Sequence, residues 1–112
     1  MGYCRLVRAG AHVYVAGTAP IMAGDADPPA DSYGQTRRCF EIIGSALEEA
    51  GAGFEHVVRT RVYMTPAADF DGISRAHGDI FRDIRPVNTT VVVAALIDPR
   101  WHVEIEADAI VS

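Results

Sequence analysis

Two hydrophobic periods alternate along this chain. Tyr3 to Arg8 and His12 to Gly17 read as short strands joined at Ala9-Gly10-Ala11, with Val13 and Val15 set against Tyr14 and Ala16 in a period of two. Thr18 to Ala30 is rich in Pro, Gly, Ala and Asp and reads as a long loop. Asp31 or Ser32 then caps a helix running to about Ala50, with an apolar stripe at Thr36, Phe40, Ile43, Leu47 and Ala50, and Gly51 ends it. His56 to Met64 returns to strand and Pro66 breaks it. A second helix over about Asp69 to Asp83 places Phe70, Ile73, His77, Ile80, Phe81 and Ile84 on one side. Thr89 to Leu96 and His102 to Val111 are the last strands, separated by a turn at Ile97-Asp98-Pro99-Arg100.

The predicted order is strand, strand, helix, strand, helix, strand, strand. Helices with one apolar side and a mixed sheet make a two-layer α+β sandwich. Val91-Val92-Val93 is apolar on both faces, which predicts burial of the sheet's open face as well. The simplest cover is further copies of the chain, since most soluble oligomers are symmetric homo-oligomers.

Composition narrows the chemistry. A chain of 112 residues makes one domain, 1–112. Its longest apolar run, Val91 to Ile97, is too short to span a membrane, and Met1 to Arg5 does not resemble a secretory signal, so a cytoplasmic location with no membrane partner is expected. The formal net charge of -5, with scattered positive residues, disfavours a nucleic-acid partner. All ten basic residues are arginine. Without lysine there is no lysine Schiff base, no pyridoxal-phosphate anchor and no Walker-type phosphate loop. Cys4 and Cys39 have no metal-like spacing, and Cys39 falls within the first helix as a small apolar residue. His12, His56 and His102 lack partner spacing for zinc, and no metal or other cofactor is expected. A lone histidine on an apolar helix side, His77, is read as a packed, hydrogen-bonded residue rather than a base. Ser45 and Ser74 lie on helices outside any nucleophile elbow.

The order and spacing of several segments resemble the Rid family, the YjgF-like reactive intermediate deaminases. They are Val13-Tyr14-Val15-Ala16-Gly17-Thr18, Gln35-Thr36, Ala50-Gly51-Ala52, Val57-Val58-Arg59-Thr60, Asp69-Phe70, Arg85-Pro86-Val87-Asn88-Thr89-Thr90 and Val103-Glu104-Ile105-Glu106-Ala107. The resemblance covers nearly the whole chain. It implies a chorismate-mutase-like fold and a homotrimer with three clefts between neighbouring subunits. It also implies a small-molecule ligand, with Tyr3 lining the cleft, the Gly17 amide facing the ligand beside Thr18, and Glu106 positioning or activating water.

Three positions depart from the pattern: Ala16 stands for a site serine, Thr90 for a residue often cysteine, and Asn88 for the arginine that grips a substrate carboxylate. A charge-assisted hydrogen bond contributes about 1.5–3 kcal/mol, so asparagine loses roughly tenfold to a hundredfold in grip. Arg61 projects from the same side of its strand as Arg59 and is a candidate substitute clamp; an ion pair with Glu104 or Glu106, or a solvated face, is the simpler reading. Glu104, Glu106 and Asp108 share one strand face, read as one cleft carboxylate and two in salt bridges, too spread to close a metal shell.

The expected activity is hydrolytic deamination of a small enamine or imine other than a typical 2-imino acid, with Glu106 catalytic and Tyr3, Gly17, Thr18, Asn88, Thr90 and Arg61 holding the substrate. The alternative is a non-catalytic trimer that binds a metabolite in the same clefts. Ribonuclease activity, also attached to the family, finds little support in an acidic chain.

Overall fold

The computed structural model describes residues 1–112. The elements are β1 (Leu6–Ala9), β2 (His12–Thr18), α1 (Ser32–Glu49), β3 (Val57–Met64), α2 (Phe70–Phe81), β4 (Val87–Val92) and β5 (Val103–Ile110). Their order is the predicted one.

Local chemistry sets the boundaries. The β1–β2 hairpin pairs Ala9 with His12, and Gly10 takes the positive φ of 63° that the tight turn demands. Asp31 caps α1 by accepting from the Gly34 amide at 2.9 Å. At the other end Gly51 adopts φ 76°, and the Arg8 guanidinium donates to the Ala50 carbonyl at 2.7 Å, tying β1 to the helix terminus. Asp69 caps α2, and its own amide donates to Ser32 Oγ, so both helices begin at one junction.

One five-stranded sheet holds the elements together in the order β1-β2-β5-β3-β4. β3 and β4 are parallel, joined by the α2 crossover, and every other pair is antiparallel. Both helices lie on one face. Val103, Ile105, Ala107 and Ala109 of β5 are buried against them, while Glu104, Glu106 and Asp108 point to the other side. Phe40, Ile43 and Leu47 carry the α1 stripe into this core; each such side chain contributes about 1.5–3 kcal/mol on burial. Phe40, Phe54 and Phe81 meet edge to face at 5.3–6.2 Å between ring centres.

The last third differs from the expectation in one respect. β4 starts and stops earlier than the predicted Thr89–Leu96 strand. Its ladder runs from Val87 opposite Arg59 to Val92 opposite Met64, and the Val93 amide still reaches the Met64 carbonyl at 2.8 Å. Beyond that β3 has ended, so Ala94 to Ile97 has no partner and stays irregular despite its apolar sequence. β4 is also an edge strand, and Val87, Val91 and Val92 are exposed in the protomer. No helix is long and apolar enough to cross a membrane.

Nor is the 18–30 segment a free loop. Arg100 grips Asp25, Asp27 and Asp98 at 3.0, 3.1 and 2.7 Å. Gln35, buried in α1, donates to the Pro29 and Arg100 carbonyls and accepts from the His102 amide.

Candidate functional site

The parallel register of β3 and β4 sets Thr60 beside Asn88 and Val62 beside Thr90, all on the helix-covered face. α2 lays Phe70, Ile73, Ser74, His77 and Gly78 over that strip, leaving a crevice of about 170 Å³ lined by Val62, Asn88 and Thr90. Its polar floor is continuous. Thr90 Oγ1 donates to Asn88 Oδ1 at 2.8 Å, Asn88 Nδ2 donates to Thr60 Oγ1 at 3.0 Å, and Thr60 Oγ1 lies 2.9 Å from His77 Nε2. The His77 ring packs on Phe40 and Phe81, and burial pushes its pKa below the ordinary histidine value. His77 is thus packed and hydrogen-bonded, as its helix position suggested, and it also lines the crevice. No side chain lining the crevice is a carboxylate, an arginine or a lysine.

Carboxylates gather on the opposite, open face. Tyr63 Oη donates to Glu106 Oε1 at 2.5 Å, and Arg61 Nη1 lies 3.6 Å from Glu106 and 3.5 Å from Asp108. The hydrogen bond to the Glu106 carboxylate raises the tyrosine pKa, since the phenol must keep its proton to donate it, and burial adds to the shift. Arg61 therefore takes the ion-pair reading, with Asp108 as well as Glu106. It is not a clamp beside Asn88: alternation along β3 turns it away from Thr60, to the other face of the sheet.

Glu104 takes part in none of these pairs. Its carboxylate lies against Gly17, where a Cβ would stand 2.5 Å from Glu104 Oε2. The approach occurs at a bulge, since β2 has three steps from Val15 to Thr18 where β5 has two from Ala107 to Ile105. Arg5 Nη1 braces the bulge by donating to the Gly17 carbonyl at 2.8 Å and to Thr18 Oγ1 at 3.0 Å, while Thr18 donates to the Ala16 carbonyl.

The fold therefore brings Asn88 and Thr90 together on one face, and Gly17 next to Glu104 at the β2–β5 bulge. Glu106 and Arg61 lie in an ionic network of their own. Thr18 is fully buried, with its hydroxyl engaged as donor and acceptor, and Tyr3 precedes β1 with 64% of its surface exposed. Sequence reasoning passed over Ser74 as a lining residue and Glu104 as the unpaired carboxylate. The three-and-four spacing from Phe70 through Ser74 to His77 carried a signal for the first. Nothing in the alternation of Glu104 and Glu106 distinguishes one from the other. No three His, Cys, Asp or Glu side chains cluster closely enough to hold a metal ion.

The chain as a whole has relatives among known proteins. The family model described as Endoribonuclease L-PSP matches residues 1–111. An uncharacterized protein of Streptomyces coelicolor is 40% identical over 112 aligned positions, covering 96% of this chain and 81% of that protein. A Mycobacterium tuberculosis member of the YjgF family has a crystal structure matching with a TM-score of 0.89 at 43% identity, over 99% of this chain and 88% of that one. Escherichia coli TdcF, solved with bound serine, matches with a TM-score of 0.90 at 27% identity, over 100% of this chain and 90% of that one.

Proposed function

This chain belongs to the Endoribonuclease L-PSP family, the YjgF or Rid proteins, and on that premise we propose that it hydrolyses a small, neutral enamine or imine to a carbonyl compound and ammonia. Membership supports a small-molecule-binding or deaminase-like role, and a trimer is typical of the family. The single observation behind the neutral substrate is the crevice at Asn88, whose polar groups are hydroxyls, an amide and an imidazole where a carboxylate clamp would need a cation. TdcF binds serine in this fold, so ligands of amino-acid size suit it.

Hydrolysis also needs a group to hold and deprotonate water. The expected one, Glu106, already accepts from Tyr63 and neighbours Arg61. Glu104 is unpaired and lies at the Gly17 bulge, so it is the better candidate base. Glu104 and the Asn88 crevice lie on opposite faces of one sheet. A working site then requires the crevice of one subunit to face the Gly17 bulge of a neighbour, with the exposed valines of β4 buried at the contact. Tyr3, near the chain start, would line that cleft from the same neighbour.

A second reading, a trimer that binds a metabolite without turning it over, is favoured by one feature. Both polar ends of the Asn88 amide are engaged within the protomer, so the residue in the arginine position serves the fold first. The acidic balance of the chain weighs against an RNA substrate.

Ammonia release from neutral imines generated in situ from primary amines and amino-acid amides, and from the 2-imino acids of several amino acids, in the native protein and in Asn88→Arg, separates these readings. Native turnover of the neutral imines supports the enzyme, and equal native turnover of the 2-imino acids overturns the neutral-substrate reading. Turnover only in Asn88→Arg indicates an intact scaffold tuned to another ligand, and silence in both favours the binding trimer.

A further inference from the structure

The hydrogen bonds on the crevice floor run in one direction only. Asn88 Nδ2 lies 3.0 Å from Thr60 Oγ1 and 3.4 Å from the Thr60 carbonyl oxygen. A carbonyl only accepts, so the amide presents its NH2 to residue 60; turned over, it would set two oxygens against each other. Asn88 Oδ1 then accepts from Thr90 Oγ1 at 2.8 Å. Thr60 Oγ1, accepting from Asn88 and fully buried, has one proton left to give, and His77 Nε2 stands 2.9 Å away. The chain closes when Nε2 is the bare ring nitrogen and the imidazole proton sits on Nδ1.

The wiring fixes what a ligand meets. The Thr90 hydroxyl proton is committed to Asn88, so the half-buried Thr90 oxygen turns only lone pairs to the crevice. We propose that the crevice receives the hydrogen-bond donor end of a neutral ligand, an N–H or O–H, at Thr90 Oγ1, and that His77 and Thr60 are positioning residues that set this polarity. A ligand carbonyl or carboxylate would face those lone pairs and be rejected, the inverse of an arginine clamp. This assignment rests on the crevice being the ligand site, and it names the chemistry of the end that enters.

The same wiring predicts how acid acts. Phe40 of α1, Phe81 of α2 and Thr60 of β3 surround the ring, Asn88 of β4 lines the same crevice, and none of them is charged. A protonated His77 must donate from Nε2, which leaves the Thr60 hydroxyl proton without an acceptor unless Asn88 turns over. Turning over directs the Asn88 NH2 at Thr90 and releases the Thr90 proton toward the crevice. Turning over also sets Asn88 Oδ1 against the Thr60 carbonyl, so either arrangement costs energy and the donor preference belongs to neutral pH.

Two measurements test the proposal. In protein labelled with ¹⁵N at histidine, ring shifts at neutral pH are expected to show a bare Nε2 and a protonated Nδ1 for His77. Acetamide and acetone share a shape and a carbonyl, and only acetamide carries an N–H. Acetamide is expected to perturb Thr90 and bind roughly fivefold more tightly, the ratio given by one neutral hydrogen bond of about 1 kcal/mol. Thr90→Val, close in shape and half-exposed, should erase that ratio, and His77→Phe should shrink it while keeping the aromatic packing. A neutral His77 protonated on Nε2 overturns the wiring whatever the probes do. Equal binding of the two probes, or no response at Thr90 to either, overturns the ligand assignment. Absence of ammonia release with the Nδ1 tautomer and the acetamide preference intact would count against imine hydrolysis alone.

Discussion

Glu104 Oε2 occupies the space into which a side chain on Gly17 would grow, at 2.5 Å from where a Cβ would stand. The bulge after Val15 aims the backbone of residue 17 at the carboxylate, and only a residue without a Cβ allows the approach. Gly17→Ala is therefore expected to push the Glu104 carboxylate aside. Because the displaced atoms are the far end of a flexible side chain, thermal stability should change by less than about 1 kcal/mol. Ligand binding or ammonia release should fall well beyond what that stability change explains. A calorimetric scan beside an activity assay checks this, and a variant equal to the native protein in both sinks the role given to the contact.

The two glutamates of β5 should respond differently to the same amide substitution. Glu104→Gln keeps shape and removes a base, so turnover is expected to fall about 10²–10⁴-fold with binding retained. Glu106→Gln weakens the bond from Tyr63 and the pairing with Arg61 and should cost stability, about 1 kcal/mol for a partly exposed network, with little effect on turnover. Steady-state kinetics and denaturant unfolding of both variants decide it. The reverse pattern would return the catalytic role to Glu106.

Gln35 holds three segments with one buried side chain: the Pro29 carbonyl, the Arg100 carbonyl and the His102 amide. Gln35→Leu fills the same volume and leaves those backbone groups unpaired. Each orphaned buried group costs about 1–3 kcal/mol, so a total loss of about 3 kcal/mol and a Tm lower by roughly 10 °C are expected. Amide exchange should quicken at residues 30–31 and 100–102 before it does in the β3–β5 ladder. A Tm within about 2 °C of native would show that water replaces the lost partners.

Burial lowers the His77 pKa in the folded protein. Above the unfolded histidine value of about 6.5 both states hold a neutral ring, and its full contribution to stability is present. As pH falls below that value the unfolded chain takes up a proton that the native state resists, so stability declines until pH has passed through the lowered native pKa. His77→Phe should flatten this part of the stability–pH curve from pH 7 downward. Urea titrations across that range test it, and an unchanged slope in the variant would assign the acid sensitivity elsewhere.

Much of the fold was legible because it is written locally. The period of two in Val13 and Val15, the three-and-four stripe of α1, Asp31 before it and Gly51 after it each act within a few residues. The short β4 was not legible, because a strand ends where its partner ends, and β3 ends at Met64. Arg61 and Asn88 looked like alternatives for one task until the register turned them to opposite faces.

By itself the sequence determined the element order, the two-layer class, the family likeness and the lack of an arginine at position 88. These follow from side-chain pattern and residue identity. The choice of Glu104 over Glu106 as the unpaired carboxylate, the joining of His77 to Asn88 through Thr60, and the separation of crevice and carboxylate by the sheet were decided only by tertiary structure. Each depends on strand register and on which partner lies across a face, and those are set by pairings between residues 17 to 98 positions apart.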